Sequence, residues 1–306
     1  MVSTLTPAAL DMPRTAPRRS RRRSSPYPLW FFAVPALLFL GLFVVPTFAS
    51  FYFSLTRWTL FSTEFIGLDN FVTFFKEPTL VSGFTHTFIY AVLTSATKVV
   101  LGMLLGVLLT SRIVGRGYLR SVVFFPVLVS TIGVGLTFKI LLDPFHGLVN
   151  RTLAAVGITG PGWLTDPSIA LYSVIAVDVW KGIGIATLIF MAGMVGIPTE
   201  YYEAARVDGT TARQQFFNIT LPLLRPATTT VILLSLIGGL RSFDLIWAMT
   251  KGGPGFTSDV IASVIYKQYQ AGFYGLSTAG NVVLFVVVAA IVVPMSILFN
   301  RQESRR

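Results

Sequence analysis

The sequence contains no cysteine and only two histidines in 306 residues. The absence of cysteine excludes disulfide bonds and thiolate metal ligands. His86 and His146 lie too far apart in the chain to suggest a histidine metal site. Charged residues make up only 12% of the chain, against roughly 25% in a soluble domain. The composition therefore argues against a soluble protein.

Apolar residues are correspondingly abundant, at 53% with a mean hydropathy of +0.71, which indicates a membrane protein. A helix needs about 20 apolar residues to cross a bilayer. Runs of that length predict an all-α transmembrane fold with about six membrane-spanning helices. The first run is too long for a signal peptide, so we expect it to remain uncleaved. The six runs lie near residues 29–53, 87–110, 120–142, 169–195, 221–241 and 276–299.

The net charge of +11 could indicate a nucleic-acid partner, but its location argues otherwise. The arginines lie beside the apolar runs, as the positive-inside rule predicts for cytoplasmic segments. We therefore predict a multi-pass protein with both termini and the loops at 111–119 and 196–220 in the cytoplasm, and no nucleic-acid partner. The external loops then carry few cations, namely Arg57, Lys76, Arg151, Lys251 and Lys267.

Three regions are predicted along the chain. Residues 1–25 are rich in Pro, Ser, Thr and Arg and should form a disordered basic cytoplasmic tail. Its role is either topogenic or a contact with anionic membrane lipid. Residues 26–300 are predicted to form the transmembrane domain, and residues 301–306 a second basic cytoplasmic tail.

A polar segment at about 197–222 joins the fourth and fifth apolar runs and has a helical pattern. Thr199 is predicted to cap a first short helix, which Gly209 interrupts. Thr210 or Thr211 can cap a second helix. Pro222 should then lie at the start of the next apolar run, where a first-turn proline loses no hydrogen bond. The residues alone also allow an ordinary helix-turn-helix loop.

The spacing of this segment resembles the EAA motif of permease subunits in binding-protein-dependent ABC importers. Glu203-Ala204-Ala205 is followed after three residues by Gly209 and after nine more by Ile219-Thr220-Leu221-Pro222. Further stretches are similar to sugar-type, maltose-permease-like members, and together the resemblance covers about residues 28–300. These stretches are residues 65–71, Gly147–Asn150, Ala192-Gly193 with Ile197-Pro198, Phe243-Asp244 and Met249–Pro254.

The resemblance implies a type I importer fold in a prokaryotic cytoplasmic (inner) membrane. It implies four partners: a second homologous permease subunit, a cytoplasmic ABC ATPase dimer, an extracytoplasmic substrate-binding protein, and a sugar or related polyol as cargo. The polar segment would be a coupling helix seated in a groove of the ATPase. The residues expected to couple are Glu203, Ala204, Ala205, Asp208, Gly209, Phe216 and Pro222.

The chain has no Gly-x-x-x-x-Gly-Lys-Ser/Thr phosphate loop. We therefore expect it to be a non-enzymatic subunit that binds no cofactor, with ATP and Mg²⁺ on the partner ATPase.

Three charged residues, Lys98, Asp178 and Lys181, fall inside apolar runs, where each costs about 2.5–3.5 kcal/mol on insertion scales. Asp178 and Lys181 are three residues apart on one predicted helix and can pair. The alternative is that Asp178, Trp180 and Lys181 line the cargo path, with the indole ring offering an apolar face to a sugar.

A second polar and aromatic group at the outer end of the fifth run contains Arg241, Phe243, Asp244 and Trp247. It predicts either cargo contacts or an interfacial aromatic belt. The following segment, Gly252-Gly253-Pro254-Gly255, should be an external loop without helix. By resemblance, Gly252, Gly253 and Pro254 lie near the docking site of the binding protein, although a plain connecting turn is the alternative.

Two other functions compete with the importer subunit. The charges inside the apolar runs would suit an ion-coupled secondary transporter, but no internal repeat relates the two halves and the elbow would be unexplained. A membrane enzyme would need paired carboxylates, a histidine cluster or a serine motif, which the sequence lacks.

Overall fold

The computed structural model describes residues 29–59, 61–111 and 113–303. The predicted tail at 1–25 and residues 304–306 lie outside the described residues. The described residues divide into two compact units, one ending at residue 47 and one beginning at residue 48. In the first unit the described residues are helical, with a π-helical turn at Leu40–Val44.

Helices dominate, with one small antiparallel hairpin, β1 (Thr56–Trp58) and β2 (Thr63–Phe65). The helices in chain order are α1 (Trp30–Phe53), α2 (Asp69–Lys76), α3 (Pro78–Thr110), α4 (Arg116–Leu128), α5 (Thr131–Leu141), α6 (Leu148–Ala155), α7 (Ala170–Val195), α8 (Thr199–Val207), α9 (Ala212–Leu223), α10 (Arg225–Leu240), α11 (Asp244–Met249), α12 (Ile261–Gln270) and α13 (Tyr274–Glu303).

Within the described part of the chain, four helices are long and apolar enough to cross a membrane unbroken: α1, α3, α7 and, over Tyr274–Phe299, α13. The number rises to six if each of two bent helix pairs forms one span. The predicted all-helical membrane architecture is confirmed, and the predicted six spans require the bent pairs.

The first bent pair corrects the prediction of a single helix at 120–142. Helices α4 and α5 meet at an angle of 101°. Val129 has an extended backbone, with φ −83° and ψ 140°, and Ser130 has ψ 135°, so the helical hydrogen-bond ladder is interrupted there. Pro126 weakens the turn just before the break because it has no backbone N–H to donate.

The second bent pair corrects the prediction of one helix at 221–241. Helices α9 and α10 meet at 63°, with Leu224 at φ −82° and ψ 0° between them. Pro222 therefore lies near the end of α9, and Pro226 occupies the first turn of α10 instead. The coupling segment and the fifth span therefore form one bent unit, with the bend at Leu224.

The predicted external loops contain regular structure that the apolar runs did not reveal. The hairpin and α2 occupy the first loop, α6 the second, and α11 and α12 the third. Helix α3 begins at Pro78. The sequence analysis placed its start near residue 87 because the first turns of the helix are polar and do not extend the apolar run. The loop at Gly252–Gly255 has no helix, as predicted.

Helix α3 packs closely against α7 through small residues. A Cβ added at Gly102 would lie 2.7 Å from the Cβ of Ala186. Small residues at such crossings let the two helix backbones approach closely. Van der Waals packing can then hold the helices together in lipid, where no hydrophobic force drives their association. Tyr90 of α3 and Val174 of α7 are fully buried in the resulting core, which positions the polar residues described next.

Candidate coupling elbow and intramembrane polar cluster

Helix α8 begins differently from the prediction. Pro198 occupies the capping position, and Thr199 is the first helical residue and makes no side-chain cap. Proline at the capping position fixes φ near the observed −57° but offers no side-chain acceptor. Glu200 in the first turn complements the positive end of the helix dipole.

Gly209 ends α8 as predicted, in a left-handed conformation with φ +73°. The amide of Gly209 donates to the carbonyl of Arg206 (3.1 Å), and the amide of Thr210 donates to the carbonyl of Ala205 (3.0 Å). This pair of bonds is the Schellman motif, which satisfies the last carbonyls of a helix. The turn therefore depends on a residue that tolerates positive φ.

Helix α9 begins with a capping box, which confirms Thr211 as a cap. The Gln214 amide donates to Thr211 Oγ1 (3.3 Å), and the Thr211 amide donates to Gln214 Oε1 (2.8 Å). Gln215 Nε2 reaches back to Thr210 Oγ1 (3.2 Å). Tyr202 and Thr220 join the two helices through their hydroxyls at 2.9 Å. We call residues 199–223 the elbow, and these contacts fix its two arms relative to each other.

The predicted coupling residues divide by exposure. Glu203, Ala204, Asp208 and Gly209 are exposed, Ala205 is buried, and Phe216 and Pro222 are half-buried. Four apolar side chains of the elbow outside that set are also exposed, namely Tyr201 (55%), Val207 (89%), Phe217 (52%) and Leu223 (45%). The elbow thus presents an apolar surface together with carboxylates.

Asp178 of α7 pairs with Lys98 of α3, so the predicted pairing with Lys181 is wrong. Lys98 Nζ lies 2.6 Å from Asp178 Oδ2, and the two side chains are only 11% and 22% exposed. The close approach of α3 and α7 brings this cation nearer than the one on Asp178's own helix. Among the described residues Lys181 makes no ion pair within 4.0 Å and is half-buried.

Tyr90 lies two turns along α3 from Lys98 and extends this polar group. It is fully buried, and its hydroxyl has no hydrogen-bond partner among the described residues. Asp178 and Ser242 are the polar side chains near it. We call Tyr90, Lys98, Asp178 and Ser242 the polar cluster. The sequence analysis missed Tyr90, because nothing in the sequence distinguishes a tyrosine of this polar cluster from any other tyrosine in a predicted span.

Trp180 faces a different cavity from its predicted companions Asp178 and Lys181. It is 43% exposed, and its ring lies 5.1 Å from that of Phe138. It helps to line an open apolar cavity of about 580 Å³ with Trp163 and Tyr172, and neither Asp178 nor Lys181 lines it.

The second predicted group forms an aromatic cluster after the end of α10. Phe243 and Trp247 stack at 5.6 Å with an interplanar angle of 19°. Tyr266, which the sequence analysis missed because it lies on another helix, packs edge-on to both at 5.2 and 4.9 Å. Arg241 and Asp244 are exposed beside the cluster.

The loop at Gly252–Gly255 is braced by a buried ion pair. Asp259 is fully buried, and its carboxylate accepts hydrogen bonds from Lys267 Nζ and Ser263 Oγ. Its backbone carbonyl lies 2.9 Å from Nδ1 of His86 on α3. These contacts hold the segment in place.

Gly252 should tolerate no side chain. A Cβ there would lie 1.8 Å from Asp259 Oδ1. We expect Gly252→Ala to disrupt the buried pair and to lower the free energy of unfolding by about 3 kcal/mol or more, measured by thermal melting in detergent. Gly255→Ala is the matched control, because Gly255 also has positive φ (+54°) but open space around it. Equal melting of the two variants would contradict the role of the close approach.

A protein-family model decides the family. The family of binding-protein-dependent transport system inner membrane components matches residues 98–305, which include the elbow and the polar cluster except Tyr90. The chain belongs to this permease family. The ion-coupled secondary transporter is accordingly not favoured.

Curated relatives agree with this assignment. The probable ABC transporter permease protein YurN of Bacillus subtilis is 34% identical over 90% of this chain and 97% of its own length. The trehalose/maltose transport system permease protein MalF of Thermococcus litoralis is 33% identical over 83% of this chain and 88% of its own length.

A solved structure shares the fold of this permease. A subunit of a bacterial ABC transporter that imports the acidic polysaccharide alginate matches with a TM-score of 0.77, covering 89% of this chain and 95% of its own. The sequence identity is 24%, so this likeness concerns the fold alone. The type I importer permease fold predicted from the sequence is confirmed.

Proposed function

We propose that this permease is the transmembrane subunit of an ATP-driven importer that moves a carbohydrate across the cytoplasmic membrane of a prokaryote by alternating access. Relatives named for trehalose and maltose and for arabinooligosaccharides support the cargo class. The partners proposed are a second permease subunit, a cytoplasmic ABC ATPase dimer that binds ATP and Mg²⁺, and an extracytoplasmic substrate-binding protein. Both termini and the elbow lie in the cytoplasm.

The elbow is the observation that carries the proposal. Its two arms are fixed by the Gly209 turn and the Tyr202–Thr220 bond, and its second arm continues through Leu224 into α10. A rigid body seated in the ATPase would transmit movement of that partner directly to a membrane-spanning helix. The ATPase must bind one permease conformation better than the other, because equal affinity shifts no equilibrium.

The cargo path is proposed to include the polar cluster and the aromatic cluster. Tyr90 offers a hydroxyl without a partner, and Phe243 and Trp247 offer ring faces of the kind that pack against the apolar face of a sugar. Arg241, Asp244 and Lys181 stay in the proposal as charged groups outside any ion pair within the described residues. Trp180 stays as a wall of the neighbouring apolar cavity.

Charge placed on the elbow should release the ATPase. We expect Val207→Asp to lower the amount of ATPase subunit that co-purifies with the permease by about tenfold, because a carboxylate would be desolvated in the contact. Quantitative gel analysis of the purified complex measures it. Val114→Asp is the matched control, since Val114 is an equally exposed valine in the other predicted cytoplasmic loop. Full retention of the ATPase by Val207→Asp would contradict the proposed contact.

Transport assays separate the proposal from the secondary transporter. Proteoliposomes containing both permeases and the ATPase should take up labelled sugar only with internal ATP and external binding protein. Uptake by this chain alone, abolished by an ionophore and indifferent to ATP, would refute the importer.

A further inference from the structure

A preformed pocket lies between the hairpin, α2, the end of α12 and the start of α13. Its volume is about 560 Å³, which is within the range of protein binding sites. We call it the hairpin pocket. Its walls include Trp58, Asp69, Asn70, Glu77, Gln268 and Phe273.

The walls of the hairpin pocket are held by specific contacts. Asn70 is buried, and its Nδ2 donates to the carbonyls of Ser54 (2.9 Å) and Thr56 (2.8 Å), which ties α2 to the hairpin. The Trp58 ring lies 4.4 Å from that of Phe53 and 5.5 Å from that of Tyr274. The pocket is thus present before any partner arrives, which lowers the entropic cost of binding.

Charge in the hairpin pocket is predominantly acidic. Asp69 and Glu77 both line it, and neither forms an ion pair within the described residues. Arg57, the basic residue of the lining, is engaged with Glu64 at 3.5 Å. Glu77 has one weak neighbour, the Thr79 hydroxyl at 3.5 Å. The lining therefore carries two carboxylates against one guanidinium, which is shared with Glu64.

The hairpin pocket is at the opposite end of α3 from the elbow. Leu80, near the start of α3, lines it, whereas Val107 and Thr110, near the end of α3, line a cavity with elbow residues. Helix α3 has 33 residues and so spans about 50 Å. If the elbow is cytoplasmic, the pocket opens outside.

The pocket also adjoins the braced loop. Gln268 lines the pocket, and its neighbour Lys267 holds Asp259 beneath Gly252. The two features are therefore linked through adjacent residues of α12.

We propose that the hairpin pocket receives a Lys- or Arg-bearing projection of the extracytoplasmic substrate-binding protein. The inference rests on the proposed function, which supplies that partner, and it adds the pocket to the docking surface suggested for Gly252, Gly253 and Pro254. A basic side chain complements Asp69 and Glu77, and its aliphatic stem fits beside Trp58. Charge pairs of this kind fix the register of a complex and speed its formation.

The test uses the full complex in lipid nanodiscs, titrated with sugar-loaded binding protein while ATP hydrolysis is followed. The double variant Asp69→Asn/Glu77→Gln should raise the half-saturating concentration of binding protein about tenfold and flatten its dependence on salt. Asp143→Asn is the matched control, because Asp143 lies in another predicted external loop and does not line the pocket; it should titrate as wild type. Thermal melting confirms that each variant is folded.

A second variant fills the pocket without removing charge. Thr73 lines it and is exposed, and Thr73→Trp should weaken docking to a similar degree. Wild-type titration of both pocket variants would overturn the inference while leaving the importer intact, as would an equal loss in Asp143→Asn. Binding of free sugar to the hairpin pocket in the absence of the binding protein would also overturn the inference. A wild-type complex that does not respond to binding protein at all would instead refute the proposed partner.

Discussion

Replacing Asp178 with alanine is expected to cost about 3–5 kcal/mol of stability, because it leaves the Lys98 ammonium buried without its counter-ion. The pair is short, at 2.6 Å, and both side chains are largely buried. Folded permease in membranes should fall accordingly, measured as the fraction that elutes as a monodisperse complex. Lys98→Ala should be similarly harmful, since it strands the carboxylate instead.

A double variant separates the structural cost from a role in transport. Lys98→Met/Asp178→Leu removes both charges, and apolar replacements of a buried pair are often neutral or stabilising. We expect it to restore the folded fraction but not sugar uptake, because the hydrogen-bonding groups near Tyr90 are gone. Full recovery of uptake would show that the pair only holds α3 and α7 together, and it would remove Asp178 from the cargo path.

The partner of Asp178 illustrates what the sequence could not predict. Local spacing favoured Lys181, three residues away on the same helix, whereas Lys98 is 80 positions distant. Whether Asp178 pairs with Lys98 or with Lys181 depends on how closely α3 and α7 approach. That distance is set by the contact of Gly102 with Ala186. Tyr266 was missed for the same reason, since its aromatic partners belong to another helix.

The amino-acid composition of the apolar runs did not reveal the breaks between α4 and α5 and between α9 and α10. The runs at 120–142 and 221–241 are predominantly apolar, and hydropathy does not report backbone direction. The bends at Val129-Ser130 and at Leu224 arise from individual dihedral angles next to Pro126 and Pro222. Proline was recognised near the spans, but whether it kinks, ends or merely borders a helix is decided by packing.

The elbow was predicted more accurately because its structure is local. The left-handed turn at Gly209 and the cap at Thr211 follow from the conformational range of glycine and the hydroxyl of threonine. Thr199 failed because Pro198 already occupies the capping position. Structure set by residues close in the chain could therefore be predicted from the sequence, whereas contacts between residues distant in the chain could not.

Helix α3 physically connects the sites described above. Near its N-terminal end His86 contacts the carbonyl of Asp259 beneath the braced loop. Near its middle Lys98 holds Asp178, and at its other end Thr110 borders the elbow cavity. A shift of this one helix would change all three contacts together, which gives the proposed importer a direct mechanical link between its two membrane faces.

Gly209→Val is expected to uncouple the elbow. A β-branched residue at φ +73° is strongly disfavoured, and the left-handed conformation costs roughly 1–2 kcal/mol even for an ordinary residue. The cheapest relief is to lose the Schellman bonds at Ala205 and Arg206, which would change the angle between α8 and α9. We expect ATPase co-purification and ATP-driven uptake to fall about tenfold or more.

Gly209→Asn is the decisive control, because asparagine tolerates the left-handed conformation and commonly replaces glycine at helix ends. No atom lies within 4 Å of a Cβ at this position, so neither variant clashes within the chain. A coupling turn predicts that Asn retains most uptake while Val loses it, at equal folded amounts. If both variants lose uptake equally, the side chain itself obstructs the ATPase contact, and the backbone conformation is not what couples the elbow. If both transport normally, Gly209 has no role in coupling.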